Sequence, residues 1–207
     1  IDILRVSMAP VGGILPEVSV FNMPFVFRDM DHQHKVLDGA VGEKLAKEIT
    51  DSNLGLVFLG WMDAGSRSLI TKKPITTLAD LKGVKIRLQN NPIGLDTFKA
   101  LGANPIVLPV GDVFASLQTG VIDAAENNEP TFDTENYVVA GTKYFDLTEH
   151  FMIPEVLAFS KRKWNKLTPE DQALITKLAK EAQAEERVLW AQYVDKSKQR
   201  LQSQGVK

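Results

Sequence analysis

The last third of the sequence carries the feature that most restricts the fold. From Thr168 to about Gln202 it shows one helical pattern, with no glycine or proline after Pro169. Thr168 and Asp171 form a capping-box-like start, and proline is tolerated at the first helical position. Such a helix would be about 50 Å long, whereas a compact 100-residue lobe has a radius of gyration of about 13 Å. We therefore predict a helix that spans two lobes.

Composition narrows the class of protein. The 207 residues are 44% hydrophobic and 24% charged, enough to bury a real core, and the net charge of -2 favours neither nucleic acid nor an anionic membrane. There are no cysteines, which excludes disulfides and thiolate chemistry. No apolar run approaches the length of a transmembrane helix. We expect a monomer without cofactor or metal. The opening "IDILRVS" resembles the interior of a fold, so we expect the chain to be a fragment.

The first 80 residues predict a mixed α/β start. After an irregular stretch, residues 29–49 have helical apolar spacing and a candidate N-cap at Asp31. Residues 54–61 and 66–71 have the pattern of buried strands, and 73–83 that of a turn with a short helix.

A regular pattern follows. Strands are predicted at 84–88, 104–109 and 121–126, separated by helices at 91–102 and 111–120. This βαβαβ order predicts a parallel sheet covered by helices. Beyond it we expect helical structure near 131–141, a strand at 143–150 and an apolar stretch at 152–160.

Arg87 is the most informative single residue. In "VKIRL" it alternates with Ile86 and Leu88, so it lies on the opposite face of the strand. One interpretation is a half-exposed strand with a solvated face. The other is a ligand site, because Arg87 is near the carboxyl end of a parallel strand and guanidinium binds carboxylates bidentately. Asn90 and Asn91 follow at a helix N-terminus, where they could cap the helix or help to bind an anion.

A second polar turn is predicted at the same edge of the sheet. Glu126, Asn127 and Asn128 end the strand before Pro130. Asparagines at such turns are usually caps, but two turns with arginine and amides at one crevice suit an anionic, hydroxylated small molecule. Arg67, after Gly65, would by itself be a surface residue.

Enzyme signatures are absent from the sequence. There is no G-x-G-x-x-G, phosphate-binding loop, nucleophile elbow or H-E-x-x-H motif. An enzyme acting on sugar acids, with Glu126 and Glu155 as an acid/base pair, is an alternative that no other residue supports.

Several stretches resemble the periplasmic solute-binding subunits of TRAP (tripartite ATP-independent periplasmic) transporters. They are "PITTLADLKGVKIRLQNNP", "FKALGANPIVLP", "VFASLQTGVIDAAENNEP" and "LTEHFMIPEVLAFSKRKWNKLTPEDQ". The resemblance implies an α/β, two-lobed periplasmic-binding-protein fold with mixed parallel sheets and a long lobe-spanning helix. Lobe I would comprise residues 1–64 and 155–193, without its first strand and helix. Lobe II would comprise 65–154 and 194–207 and be incomplete at its C-terminus.

The resemblance also implies site residues. Arg87 matches the carboxylate-binding arginine of the family and Arg67 a supporting arginine. Asn127 and Asn90 match ligand-binding asparagines, and His150 matches a histidine at the pocket edge. Glu155 matches the polar position before a strand. Asn128 is a further candidate, because "ENNEP" carries one more asparagine than the commoner "ENP" of the family.

Two differences from the family pattern indicate the ligand class. "ENNEP" replaces the commoner "ENP", and Glu155 stands where dicarboxylate binders tend to have an aromatic residue. Extra amide groups can form hydrogen bonds with several ligand hydroxyls, and Glu155 would repel a second ligand carboxylate. The branch that binds uronates or aldonates is the closest match, with delivery to a TRAP membrane permease. A C4-dicarboxylate binder and a ligand sensor that acts on a receptor remain alternatives.

Overall fold

The computed structural model describes residues 1–207 as two β-sheets joined by crossing segments and flanked by helices. The strands are β1 Ile3–Ser7, β2 Leu56–Met62, β3 Arg67–Thr71, β4 Lys85–Leu88, β5 Asn104–Val107, β6 Ala124–Asn127, β7 Tyr144–Phe151 and β8 Glu155–Ser160. The α-helices are α1 Met8–Val11, α2 Met30–Leu37, α3 Ala40–Asp51, α4 Pro92–Ala100, α5 Val113–Thr119, α6 Glu129–Thr134, α7 Lys161–Trp164 and α8 Pro169–Ser203. Short 3₁₀ segments occupy Pro16–Asn22, Leu78–Leu81 and Val110–Asp112.

The two sheets differ in strand direction. The small sheet has the order β1-β8-β2 and is antiparallel. The large sheet has the order β5-β4-β6-β3-β7, in which β4 pairs in parallel with β5 and β6. This confirms the predicted βαβαβ unit, and β3 and β7 extend it in antiparallel fashion. The carboxyl ends of β4 and β6 therefore lie at one edge, as predicted.

The chain crosses between the sheets three times. Residues 63–66 join β2 to β3, residues 152–154 join β7 to β8, and α8 packs against both β2 and α6. The predicted long helix is thus confirmed, and the Thr168 hydroxyl caps it by accepting from Asp171 N at 3.1 Å. The lobe boundaries inferred from the sequence stay a prediction.

Apolar side chains cover both faces of β4. One cluster is continuous between the sheets and joins Trp61 of the small sheet to Ile86 and Leu88. A second cluster, with Ala125 and Tyr137, covers the opposite face of the large sheet. Because both faces are covered, the interpretation of this strand as half-exposed with a solvated face is wrong.

The N-terminal part differs from the sequence prediction. The helix expected over 29–49 breaks at Gly39 into α2 and α3, and its cap is Asp29, whose side chain accepts from His32 N at 2.7 Å. A Cβ on Gly42 would lie 1.9 Å from Leu37 O, so the tight turn between the helices requires glycine there. Strand β1 was not predicted, because it is completed only by pairing with β8.

Other elements match with shifted bounds. The helix expected near 131–141 is the shorter α6, followed by turns. None of the helices, α8 included, combines the length and the apolar composition that crossing a membrane requires.

Candidate functional site

The candidate site lies where β4 and β6 end and β3 begins. Arg67, Arg87, Asn127 and His150 are all brought to this edge of the large sheet, and each is less than a tenth exposed. Four of the residues chosen from the sequence are therefore assembled by the fold.

Arg67 is held by a buried carboxylate. Its Nε donates to Glu126 Oε2 at 2.5 Å, and its Nη2 donates to Glu126 Oε1 at 2.8 Å and to the Glu126 carbonyl at 2.9 Å. Its Nη1 donates to Asn127 Oδ1 at 3.0 Å. Of the five N–H groups of a guanidinium, four are thus bonded within the protein. Arg67 is neutralised by Glu126 and keeps one N–H group for any ligand.

Glu126 stays ionised although it is only 2% exposed. Burial opposes its charge, but the Arg67 guanidinium, with His150 close by, outweighs burial and lowers the pKa of Glu126 to about 2. His150 Nε2 lies 3.7 Å from Glu126 Oε2, and Nδ1 lies 2.7 Å from the Thr148 hydroxyl. His150 is also packed edge-on against Phe98 and Phe151. It thus lies next to the carboxylate that holds Arg67, and its role at the pocket edge stays a prediction.

Arg87 is in the opposite electrostatic situation. It is 4% exposed, and its only hydrogen bond runs from Nε to Leu108 O at 2.9 Å. It takes part in no ion pair. Burial lowers the pKa of Arg87, Glu126 opposes this effect, and the charge of Arg67 adds to it. Because only Nε is bonded, both terminal nitrogens of Arg87 are available to an anion. A buried guanidinium without a counter-ion is energetically costly, which favours binding of an anion here.

Asn127 and Asn128 have different tasks. Asn127 Oδ1 accepts from Arg67 Nη1 and from Asn128 N at 2.9 Å, which leaves its amide N–H groups without a protein partner. Asn128 caps α6 by accepting from Thr131 N and donates from Nδ2 to Ala64 O, both at 2.8 Å. Asn127 can therefore donate to a ligand, whereas Asn128 fixes the turn and ties it to a crossing segment.

The remaining candidates lie outside this cluster. Asn90 is exposed and makes no side-chain hydrogen bond, whereas Asn91 is buried and caps α4 by accepting from Gly94 N at 3.1 Å. Glu155 begins β8 in the small sheet and is ion-paired with Arg5. A ligand role for Asn90 and Glu155 stays a prediction.

The space beside Arg67 is too small for an organic acid. A cavity of about 10 Å³ lies between Arg67, Glu126, Asn91 and Phe151. Such a volume holds one water at most. This cavity therefore cannot hold the carboxylate of an organic acid, and the ligand role of Arg87 stays a prediction.

Sequence reasoning missed three polar residues near the site. Tyr137 is 1% exposed and its hydroxyl has no partner; burial raises its pKa to about 12. Gln89 follows Arg87 by two residues and bonds Ser7 of the small sheet at 3.3 Å. The spacing from Arg87 could have indicated Gln89, but no local pattern marks Ser7 or Tyr137.

Comparison with known proteins identifies the family. The family model "Bacterial extracellular solute-binding protein, family 7" (DctP) matches residues 1–207. The chain belongs to this family. A solute-binding protein of Chromohalobacter salexigens is 37% identical over 209 residues, covering all of the chain and 61% of that protein. The chain thus spans less than two thirds of this DctP relative.

Solved DctP-type structures agree with the fold. A TRAP periplasmic solute-binding protein from Pseudomonas putida F1 with bound D-glucuronate is 50% identical and has a TM-score of 0.97. The match covers the whole of the present chain and 67% of the P. putida chain. A TRAP periplasmic solute-binding protein from Citrobacter koseri, also 50% identical, was solved in two forms. The present chain covers 69% of the D-glucuronate complex and 70% of the open apo form. The TM-score is 0.96 to its D-glucuronate complex and 0.88 to its open apo form. The sheets of this DctP chain are therefore arranged as in the liganded form.

Proposed function

We propose that this protein is the extracytoplasmic solute-binding subunit of a TRAP-type transporter, and that it captures a sugar acid for delivery to the membrane permease. The observation that carries the proposal is Arg87, a buried guanidinium with two terminal nitrogens and no carboxylate partner. A ligand carboxylate supplies the missing counter-charge through two parallel hydrogen bonds. Membership of a family of extracellular solute-binding proteins supports the location.

The other site residues complete the recognition of the acid. Asn127 donates from its free amide to an oxygen of the ligand, and Arg67 orients that amide. Glu126 and His150 hold Arg67 in place. Cofactor and metal have no part in this scheme.

A uronate or aldonate fits better than a C4-dicarboxylate. The relatives from P. putida and C. koseri hold D-glucuronate. Arg87 is the only buried arginine at this edge without an ion pair, so one ligand carboxylate is matched and a second is not. Repulsion by Glu155 contributes less than its sequence position suggests, because Arg5 neutralises it.

Catalysis by a glutamate pair is disfavoured. Glu126 has a pKa of about 2, so it does not carry a proton at neutral pH and is a poor general acid. Glu155 belongs to the other sheet and is ion-paired. We therefore propose binding without turnover.

Ligand screening tests the function directly. Thermal unfolding of the protein is followed with D-glucuronate, D-galacturonate, an aldonate and succinate, because a ligand at 100 times its Kd adds about 2.7 kcal/mol of stability. We expect the largest shift with a sugar acid. A shift with succinate alone would establish the dicarboxylate alternative, and no shift with any acid would overturn the proposal.

Substitution tests the assigned residue. Arg87→Ala should weaken sugar-acid binding at least about 100-fold in calorimetry, since charge-assisted hydrogen bonds contribute about 1.5–3 kcal/mol each. Arg162→Ala, on the exposed helix α7, is the matched control and should leave Kd unchanged. Unchanged affinity in Arg87→Ala rules out this residue as the carboxylate ligand.

A further inference from the structure

Two buried residues of the large sheet and its covering turns carry donors that have no acceptor within the protein. The first is Tyr137, which is 1% exposed and whose hydroxyl has no hydrogen-bond partner. The second is Arg87, which is 4% exposed and bonds only through Nε. Polar groups of buried residues are nearly always hydrogen-bonded, because leaving such a bond unmade costs free energy. Two unused donors close together would therefore indicate a shared acceptor from outside the protein.

Strand pairing places these donors on one face of the large sheet. Arg87 is in register with Ala125 of β6 and with Ile106 of β5, and residues paired in this way lie on the same face. Both partners belong to, or pack against, the apolar cluster that contains Tyr137. Leu108, whose carbonyl accepts from Arg87 Nε, directly follows the last residue of β5. The guanidinium therefore lies at the carboxyl edge of the sheet, on the face that Tyr137 covers.

The main chain holds Tyr137 in a fixed position. Its carbonyl accepts from the Thr142 hydroxyl at 2.7 Å and from Thr142 N at 3.3 Å, and Thr142 is fully buried. Its amide donates to Phe132 O at 3.4 Å, and the two aromatic side chains belong to the same apolar cluster. A ligand would thus meet a donor that is already ordered, which lowers the entropic cost of binding.

The Tyr137 hydroxyl keeps its proton at neutral pH. Burial raises the pKa of Tyr137 to about 12, Glu135 adds to this effect, and the charge of Arg87 opposes it. Tyr137 and Arg87 therefore lie within electrostatic reach of each other. Because a protonated hydroxyl and a guanidinium both donate, an anion is the acceptor that complements the pair.

We propose that the Tyr137 hydroxyl is a third donor to the ligand carboxylate, beside the two terminal nitrogens of Arg87. The proposal rests on the proposed sugar-acid function. A carboxylate has about four lone-pair sites on its two oxygens, and end-on pairing with the terminal nitrogens of Arg87 uses two of them. The hydroxyl takes a third. Tyr137 is thus a specificity residue that favours the acid over the corresponding uncharged sugar.

The variant Tyr137→Phe removes the hydroxyl and keeps the ring in the core. Calorimetry should show D-glucuronate bound about 10- to 100-fold more weakly, as expected for one hydrogen bond to a charged group. The thermal midpoint of the free protein should not fall, because the hydroxyl has no partner to lose. A hydroxyl with only a structural role would give the reverse, a lower midpoint with unchanged affinity.

A matched control lies in the same sheet. Tyr144 begins β7 and is paired with Thr71, at the end of β3 that is remote from Arg67. Tyr144→Phe should leave the Kd for D-glucuronate unchanged.

A spectroscopic measurement tests the contact in the unsubstituted protein. The chain has three tyrosines, so an isotope label at the tyrosine Cζ gives three resonances, which single replacements by phenylalanine assign. Saturation with D-glucuronate should shift the Tyr137 resonance, because a hydrogen bond to a carboxylate changes the electron density at Cζ, and should leave that of Tyr144 in place. If Tyr137→Phe does not fold, replacing Tyr144 and Tyr193 assigns Tyr137 by elimination.

The outcomes separate this proposal from the function on which it rests. If the unsubstituted protein binds D-glucuronate and Tyr137→Phe binds it as tightly as Tyr144→Phe does, the role of Tyr137 is wrong and the function stands. A Tyr137 resonance that does not move at saturation leads to the same conclusion. If the unsubstituted protein binds no sugar acid, the function itself fails, and the role of Tyr137 fails with it.

Discussion

Asn127 Oδ1 accepts from Arg67 Nη1 at 3.0 Å, and this bond determines which half of the Asn127 amide is available to a ligand. Both donors to Oδ1, Arg67 and Asn128 N, lack any acceptor capacity. The amide therefore cannot be flipped, and only its N–H groups can face a bound acid.

The orientation of this amide predicts the effect of Asn127→Asp. The new carboxylate keeps the acceptor for Arg67 but replaces two donors by a negatively charged oxygen. We expect folding to be retained and sugar-acid affinity to fall at least about 10-fold, from lost hydrogen bonds and repulsion. Calorimetry provides the affinity, with Asn53→Asp, exposed and without side-chain bonds, as the control. Affinity equal to that of the control would show that Asn127 does not face the ligand.

The two buried arginines should respond oppositely to the same replacement. Arg87→Met removes an unpaired buried charge, so the free energy of unfolding of the free protein should rise by about 1 kcal/mol while ligand binding is lost. Arg67→Met leaves the buried Glu126 carboxylate without its counter-ion and should lower the free energy of unfolding by about 3–5 kcal/mol. Urea denaturation without ligand compares the two variants. Equal destabilisation by both would contradict the absence of a counter-ion at Arg87.

The lowered pKa of Glu126 predicts that the folded state is less stable in acid. Its pKa in the folded state is about 2, against an ordinary value of 4.5 for glutamate. A lowered pKa stabilises the folded state above the unfolded value, and this contribution, roughly 3 kcal/mol, is lost as the pH falls from about 4.5 towards 2. In Glu126→Gln this part of the pH dependence should be missing. Denaturation at pH 7 and pH 3 measures it, and an equal acid loss in both proteins would disprove the assignment.

Gly65, in the first crossing segment, should not tolerate a side chain. Its φ is +63°, and an added Cβ would lie 3.3 Å from Trp190 Nε1. We expect Gly65→Ala to lower the free energy of unfolding by about 1–3 kcal/mol, from backbone strain and crowding. Gly111→Ala is the control, because nothing lies within 4 Å of its added Cβ. If thermal unfolding shows the two variants to be alike, the crossing segment is less constrained than this geometry indicates.

Local patterns predicted the elements that depend on local interactions. The cap at Thr168 and the long run without glycine or proline defined α8 to within one residue. Gly102 and Gly120, both at positive φ, follow α4 and α5, as helix stop signals predict. Strand β1 and the break at Gly39 were missed, because one requires a partner strand about 150 residues away and the other a close backbone approach.

The sequence by itself determined that a lobe-spanning helix and a βαβαβ unit would form, and that Arg87 would stand at the end of a strand facing a second polar turn. Only the tertiary structure decided which arginine is neutralised. Antiparallel pairing of β3 with β6 sets Leu69 opposite Glu126, which brings the carboxylate to Arg67 and leaves Arg87 unpaired. Strand register is a long-range property that the residues around either arginine do not encode, so the charge free to bind an acid became visible only in the fold.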